Sequence, residues 1–185
     1  EEYLTTLKET RAAKDQGRQR QLVALEFYLQ DLFKYISQGY GPQPTNNYNA
    51  LIQRINDLKE TGDGGACVIN FNYDILFEQN VPSITDTVDS YISGPIKVIK
   101  PHGSCEWRYV LDTRGRRISD SYSYLMDNVW HSTMPENQDV HVYKTRMNIG
   151  DWPYTEDGLY LYPAVAIPLL NKQNYICPDN HVVAM

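Results

Sequence analysis

Apolar residues recur at helical spacing through the first sixty positions, and the pattern then breaks into short apolar runs that stop at polar residues. Residues 1–37 read as helix, with Leu4, Leu7 and Ala12 as a thin stripe on a charged first half. Leu22, Leu25, Leu29, Leu32, Phe33 and Ile36 continue it as a broad apolar face. Gly39, Gly41, Pro42 and Pro44 end it. Residues 49–59 predict a second helix with Leu51, Ile52, Ile55 and Leu58 inward, stopped by Gly62, Gly64 and Gly65. Ala66 to Ile69 is short, apolar and turnless, as a buried strand of a parallel sheet requires. Asn70, Asn72 and Asp74 follow, and a new apolar pattern starts at Ile75, Leu76 and Phe77, which predicts strand, turn, helix with Asn72 or Asp74 as the cap.

Residues 85–92 are a weak strand candidate, followed by a Gly94-Pro95 turn and a second buried run, Ile96, Val98 and Ile99. That run stops at Pro101, which leaves His102 and Gly103 at a strand end. Residues 107–111 and 117–118 predict a hairpin around Gly115. Residues 119–157 lack periodicity and read as an irregular insertion over the sheet edge, and residues 159–166 as a further strand. Residues 167–172 form a loop, and Cys177-Pro-Asp-Asn-His181 reads as the start of a helix. The organisation expected is one partial domain over 1–185. It comprises a helical segment (1–60), a strand-helix-strand core (66–104), a hairpin with irregular insertion (105–158), and a strand-loop with the start of a helix (159–185).

Composition narrows the function classes. A formal net charge of −6 and a pI near 5.2 argue against a nucleic-acid groove. The one basic cluster, Arg114 to Arg117, reads as a solvated turn. Among the fifteen tyrosines, Tyr122, Tyr124, Tyr154, Tyr160 and Tyr162 could line a cleft, although half-buried packing is the ordinary use of tyrosine. Cys67, Cys105 and Cys177 are scattered and odd in number, which fits a reducing cytoplasm. No apolar run has the length of a membrane helix and no signal peptide opens the chain, so a soluble, cytoplasmic protein is expected.

In open α/β sheets ligands bind beyond the carboxyl ends of the strands. Two such ends here carry Asn72, Asp74 and His102, which makes them a candidate active site. Taken singly, an Asn or Asp after a strand is usually a helix cap, and a His before Gly is usually a turn. Asn70-Phe-Asn-Tyr-Asp74 resembles the Asn-x-Asp signature of the sirtuin superfamily, and Lys100-Pro-His-Gly-Ser104 resembles its catalytic His-Gly segment. Tyr162-Pro-Ala-Val-Ala-Ile-Pro-Leu-Leu-Asn-Lys172 resembles the proline-containing strand-loop of its divergent, NAD-cleaving branch.

The resemblance implies a Rossmann-like parallel sheet holding NAD as substrate, and cleavage of the nicotinamide–ribose bond. On that reading His102 is the base at the ribose hydroxyls, Asn72 orients the attacking water, and Asp74 meets the nicotinamide carboxamide. Gly103 and Ser104 join Asn72 and Asp74 as cofactor-binding positions. A role in stress or antiphage defence is implied by the same branch. The pattern departs from the family in three places. The closing strand and Gly-containing loop expected to grip the adenosine half are not found before Met185. The strand-to-helix glycine loop that would take the pyrophosphate is not found, because Gly62 to Gly65 precedes a strand. The zinc-ribbon cysteines are also missing between the His-Gly segment and the later strands, where Cys105, His131 and His141 stand isolated, so no metal is expected.

The chain therefore reads as the interior of a larger domain, inactive by itself and prone to self-association or to pairing with further domains. The alternatives are a non-catalytic nucleotide-binding or oligomerisation module, an NAD-dependent protein deacylase, and, weakest, an unrelated hydrolase using Ser104 or Cys105.

Overall fold

A computed structural model describes residues 16–40, 46–60, 65–111, 140–144, 160–167 and 175–185. Two helices open it, α1 (Gln16–Gly39) and α2 (Asn47–Glu60). Strand β1 (Ala66–Ile69) pairs in parallel with β2 (Ile96–Ile99), in register from Ala66↔Ile96 to Ile69↔Ile99. Between them lie a 3-10 turn at Glu78–Asn80 and the short α3 (Ser90–Ser93). Strand β3 (Gly103–Leu111) is the centre of a second, antiparallel sheet, flanked by β4 (Val140–Val142) and β5 (Tyr160–Val165). A short α4 (Asp179–Val183) follows. The class is mixed α/β, with a small parallel sheet beside an antiparallel one.

One core serves both sheets. Val98 and Ile99 of β2, Trp107 of β3 and Ala164 of β5 are fully buried in a cluster with Ile52 of α2, Phe77, Tyr91 and Cys177. Trp107 stands edge-on to Tyr91 at 5.2 Å and to the His181 ring at 5.7 Å.

Several elements differ from the sequence-based expectation, each for a visible reason. No helix starts at Ile75. The carbonyl of Asp74, which a helix would offer to the Glu78 amide, instead accepts the Lys100 ammonium at 2.5 Å, and only the 3-10 turn forms. Residues 85–92 do not make a strand: Ser90 Oγ accepts from the Thr85 amide and donates to the Thr87 carbonyl, closing turns that lead into α3. Strand β1 is half-buried on one side, at Ala66 and Val68, and exposed on the other, at Cys67 and Ile69. The insertion contains strand β4, whose Val140 to Val142 pair with residues 107–109 of β3. The hairpin partner at 117–118, the Arg114–Arg117 cluster, His131, and Tyr122, Tyr124 and Tyr154 lie outside the described residues.

The largest departure concerns α1. Its buried stripe is Leu22, Val23, Glu26, Gln30, Lys34 and Ser37, whereas the apolar face from Leu25 to Ile36 is only half-buried. The reason lies in β3. Its pairing with β5 jumps between Gly103 and Arg108, an irregularity that leaves backbone groups of residues 104–107 without that ladder. Side chains supply partners. Gln30 Nε2 donates to the Trp107 carbonyl at 2.7 Å, and Arg108 Nη1 donates to the carbonyls of Cys105 and Trp107 at 2.8 and 3.1 Å. Lys34 Nζ donates to the Tyr143 carbonyl at 3.1 Å, and the Tyr162 hydroxyl to the Glu26 carboxylate. The polar face is inward because unpaired buried backbone groups are costly.

Gly103 makes the turn from β2 into β3 possible. Its φ is +82°, and a Cβ there would come within 1.9 Å of the Ala164 carbonyl oxygen. Gly103→Ala should therefore destabilise the fold by more than about 2 kcal/mol in chemical denaturation. A variant with an unchanged unfolding midpoint would contradict this packing.

His181 gives a pH test. Its ring is fully buried with Nε2 3.1 Å from the Val88 carbonyl oxygen, and burial holds its pKa below the ordinary imidazole value. The unfolded chain thus takes up a proton that the folded chain resists, so stability present above about pH 6.5 is lost as pH falls below it. The unfolding midpoint should drop between pH 7.5 and 5.5, and His181→Gln should flatten that slope.

Candidate functional site

The parallel pairing decides which residues meet. The amide of Asn70 donates to the Ile99 carbonyl at 2.8 Å, so both chains leave the sheet side by side at one end. Asn72 and Asp74 follow β1 and His102 follows β2, and all three lie beyond the same carboxyl ends.

Phe71 and Tyr73, on either side of Asn72, both reach the imidazole of His102, with ring centroids 5.1 and 6.4 Å away. Phe71 is 56% exposed, Asn72 is exposed and His102 is half-buried, so a flat ring or a sugar has open access to this edge. Tyr73 is anchored from behind: its hydroxyl donates to the Ala166 carbonyl at 2.5 Å, its carbonyl accepts from the Cys105 amide at 2.8 Å, and burial raises its pKa.

The loop is held from below by one buried ion pair. Lys100 Nζ lies 2.9 Å from Glu78 Oε1, with both side chains almost wholly excluded from solvent. The same Glu78 oxygen accepts from Asn70 Nδ2 at 2.9 Å. Asn70 Oδ1 in turn accepts from the Asn72 amide at 3.0 Å, an Asx turn that sets the backbone of Asn72. Asp74 is half-buried and its Oδ1 accepts from the Leu76 amide at 3.1 Å, a local Asx turn and not the helix cap that the sequence implied.

Gly103 and Ser104 stand differently from the other candidates. Both are buried, and Ser104 is wholly shielded at the start of β3, where its Oγ lies 3.5 Å from the Glu106 amide. Gly103 serves the close approach to β5. Cys105 is also enclosed, with its thiol pushed up to about 12 by burial, which removes it as a nucleophile near neutral pH. Tyr162 is core, and His141 is exposed on β4. Among the described residues no group of three or more His, Cys, Asp or Glu side chains could hold a metal ion.

Sequence reasoning passed over Lys100, Glu78 and Asn70 as positioning residues. The available signal was a lysine ending an apolar strand directly before Pro101, which is an unusual place for a charge unless it is paired.

No protein-family model, curated protein or solved structure matches the chain. Nor, among the described residues, is any helix long and apolar enough to cross a membrane.

Removing one partner of a buried ion pair leaves an uncompensated charge, at a cost of about 3–5 kcal/mol. Lys100→Met should destabilise by that order in urea denaturation. Combining it with Glu78→Leu should recover a substantial part, since no lone charge then remains buried. A double variant no more stable than Lys100→Met would show that the pair is not coupled.

Proposed function

We propose that this chain is the catalytic part of an NAD-cleaving enzyme of the sirtuin-like kind, hydrolysing the bond between nicotinamide and ribose. The observation that carries the reading is the convergence of the Asn72 loop and His102 at one end of two parallel strands, with Phe71 and Tyr73 beside the imidazole. An imidazole has an unperturbed pKa near 6.5, which suits a base acting on a ribose hydroxyl at neutral pH. Asn72 is exposed on a backbone fixed by Asn70, a geometry suited to holding a water against the anomeric carbon.

Departure of nicotinamide leaves an oxocarbenium-like ribose, and fixed dipoles that need no reorganisation stabilise it best. The exposed Phe71 ring offers an apolar surface for the flat base. These residues fit the nicotinamide–ribose half of the substrate. Asp74 would meet the carboxamide with the oxygen that does not cap Leu76. A role in stress or antiphage defence belongs to the same proposal, and protein deacylation would require an acylated peptide in addition to NAD.

A second reading, a non-catalytic nucleotide-binding or oligomerisation module, is favoured by the outer side of β1. Among the described residues that strand has β2 as its one partner, and Cys67, Ile69 and Phe71 lie exposed along it. Nicotinamide release from the full-length protein separates the two.

His102→Ala should lower that release by roughly 100-fold, the usual scale for a positioned acid–base group. Asn72→Ala should do likewise with an unchanged circular dichroism spectrum. A His102→Ala protein that releases nicotinamide at the normal rate removes His102 from the mechanism, and no release from the wild type favours the module.

A further inference from the structure

Residues 175–185 close over the turn that carries His102. The Ile176 amide donates to the Pro101 carbonyl at 2.8 Å, one residue before His102. A Cβ on Gly103, one residue after it, would lie 2.9 Å from Ile176 Cγ2, so the Ile176 side chain is seated on the turn itself. From there the chain passes through the buried Cys177 into α4, whose Val182 packs against the same core.

Two polar contacts fasten α4 to the stretch that leads into α3. At the surface, Asn180 Nδ2 donates to Asp89 Oδ1 at 3.0 Å. Inside, His181 is wholly buried with Nε2 3.1 Å from the Val88 carbonyl oxygen. A carbonyl accepts and never donates, so Nε2 carries the hydrogen and Nδ1 of the neutral ring holds a lone pair. That Nδ1 is buried with no hydrogen-bond partner.

The contact to Val88 therefore suits the neutral ring alone. A proton added to His181 must go to Nδ1, where a buried N–H of an imidazolium has no acceptor. The groups that face the ring do not offset this. Tyr91 of α3 and Trp107 of β3, with ring centroids 6.4 and 5.7 Å away, are both uncharged, since burial holds the Tyr91 phenol in its neutral form. Asp89 is the charged neighbour that favours a protonated ring, and burial outweighs it. Asp179, on α4 itself, is exposed.

We propose that residues 175–185 are an acid-released latch on the candidate site. Uptake of a proton at His181 Nδ1 expels the ring, α4 leaves Val88, and the Ile176–Pro101 hydrogen bond behind the His102 turn is lost. The His102 carbonyl keeps its bond from the Ala166 amide, so the turn loosens while the sheets stay paired. The device acts on the turn whatever chemistry His102 performs, and it does not depend on NAD cleavage.

The test is hydrogen–deuterium exchange of the whole chain at pH 7.5 and 5.5, resolved by NMR and corrected for the pH dependence of intrinsic exchange. A ring that takes its proton only when released, with an ordinary pKa near 6.5, shifts the open–closed balance by roughly 10-fold over that range. Protection of the Ile176, Val182 and Ala184 amides should fall by that factor. At pH 5.5 it should lie below that of the Cys105 and Ala166 amides and be insensitive to low urea, as a local opening requires. In His181→Gln, protection at the three latch amides should be the same at both pH values, whatever its level. Latch amides that share the protection and urea dependence of Cys105, or that keep full protection at pH 5.5, would overturn the proposal. So would a pH dependence that survives His181→Gln.

Discussion

The Lys100–Glu78 pair is the constraint on which the rest of this edge depends. A lysine at the end of a buried strand must find a counter-charge and acceptors or it cannot stay there. Lys100 finds Glu78 Oε1 and the Asp74 carbonyl, and Glu78 finds Asn70. The two segments that leave β1 and β2 are thereby tied to one ammonium. The same ammonium bonds the Asp74 carbonyl, and residues 75–80 form only a 3-10 turn at Glu78–Asn80 beside the loop that carries Asn72. Buried pairs of this kind add little net stability over apolar packing. What this one adds is position, which a site needs and a core does not.

A second consequence of buried polarity runs through α1. The pairing shift in β3 turns carbonyls of Cys105 and Trp107 away from the β5 ladder, and the helix answers with Gln30, alongside Arg108 of the strand itself. Lys34 and Ser37 extend the same stripe, bonding the Tyr143 carbonyl and the Ile75 amide at 3.1 and 3.2 Å. The helix is thus fastened to the antiparallel sheet by directed bonds. Such bonds fix its register along the sheet more narrowly than apolar contact would.

The turn at Gly103 joins the two sheets and hence the two halves of the molecule. It reverses the chain from the parallel strand β2 into the antiparallel strand β3, and the Ala166 amide donates to the His102 carbonyl at 2.8 Å. His102 is therefore pinned at its backbone by β5 and flanked at its ring by the Asn72 loop, so the candidate site belongs to both sheets. A cavity of about 330 Å³ lined by Ile75, Ile84 and Glu106 lies between the 75–84 segment and β3, and Glu78 belongs both to its lining and to the network under the loop.

Much of this was legible in the residues themselves. The helical period of residues 49–59, the apolar runs 66–69 and 96–99, and the strand pattern of 159–166 are all local, and the observed elements follow them closely. Polar residues ending two apolar runs marked the strand ends where the candidate residues stand for the same reason, since strand ends are punctuated locally. The sequence could not show that β3 would pair antiparallel with segments some thirty and fifty residues on, because pairing depends on distant partners. Nor could periodicity reveal that α1 turns Glu26, Gln30, Lys34 and Ser37 inward. Hydrophobic pattern assumes that an apolar face seeks the core, and here the unpaired carbonyls of a bulged strand outweighed it. Nor could the sequence show that the segment after Asp74 would form only a 3-10 turn, with the Asp74 carbonyl bonded by a lysine from another strand, a contact that exists only once the chain has folded.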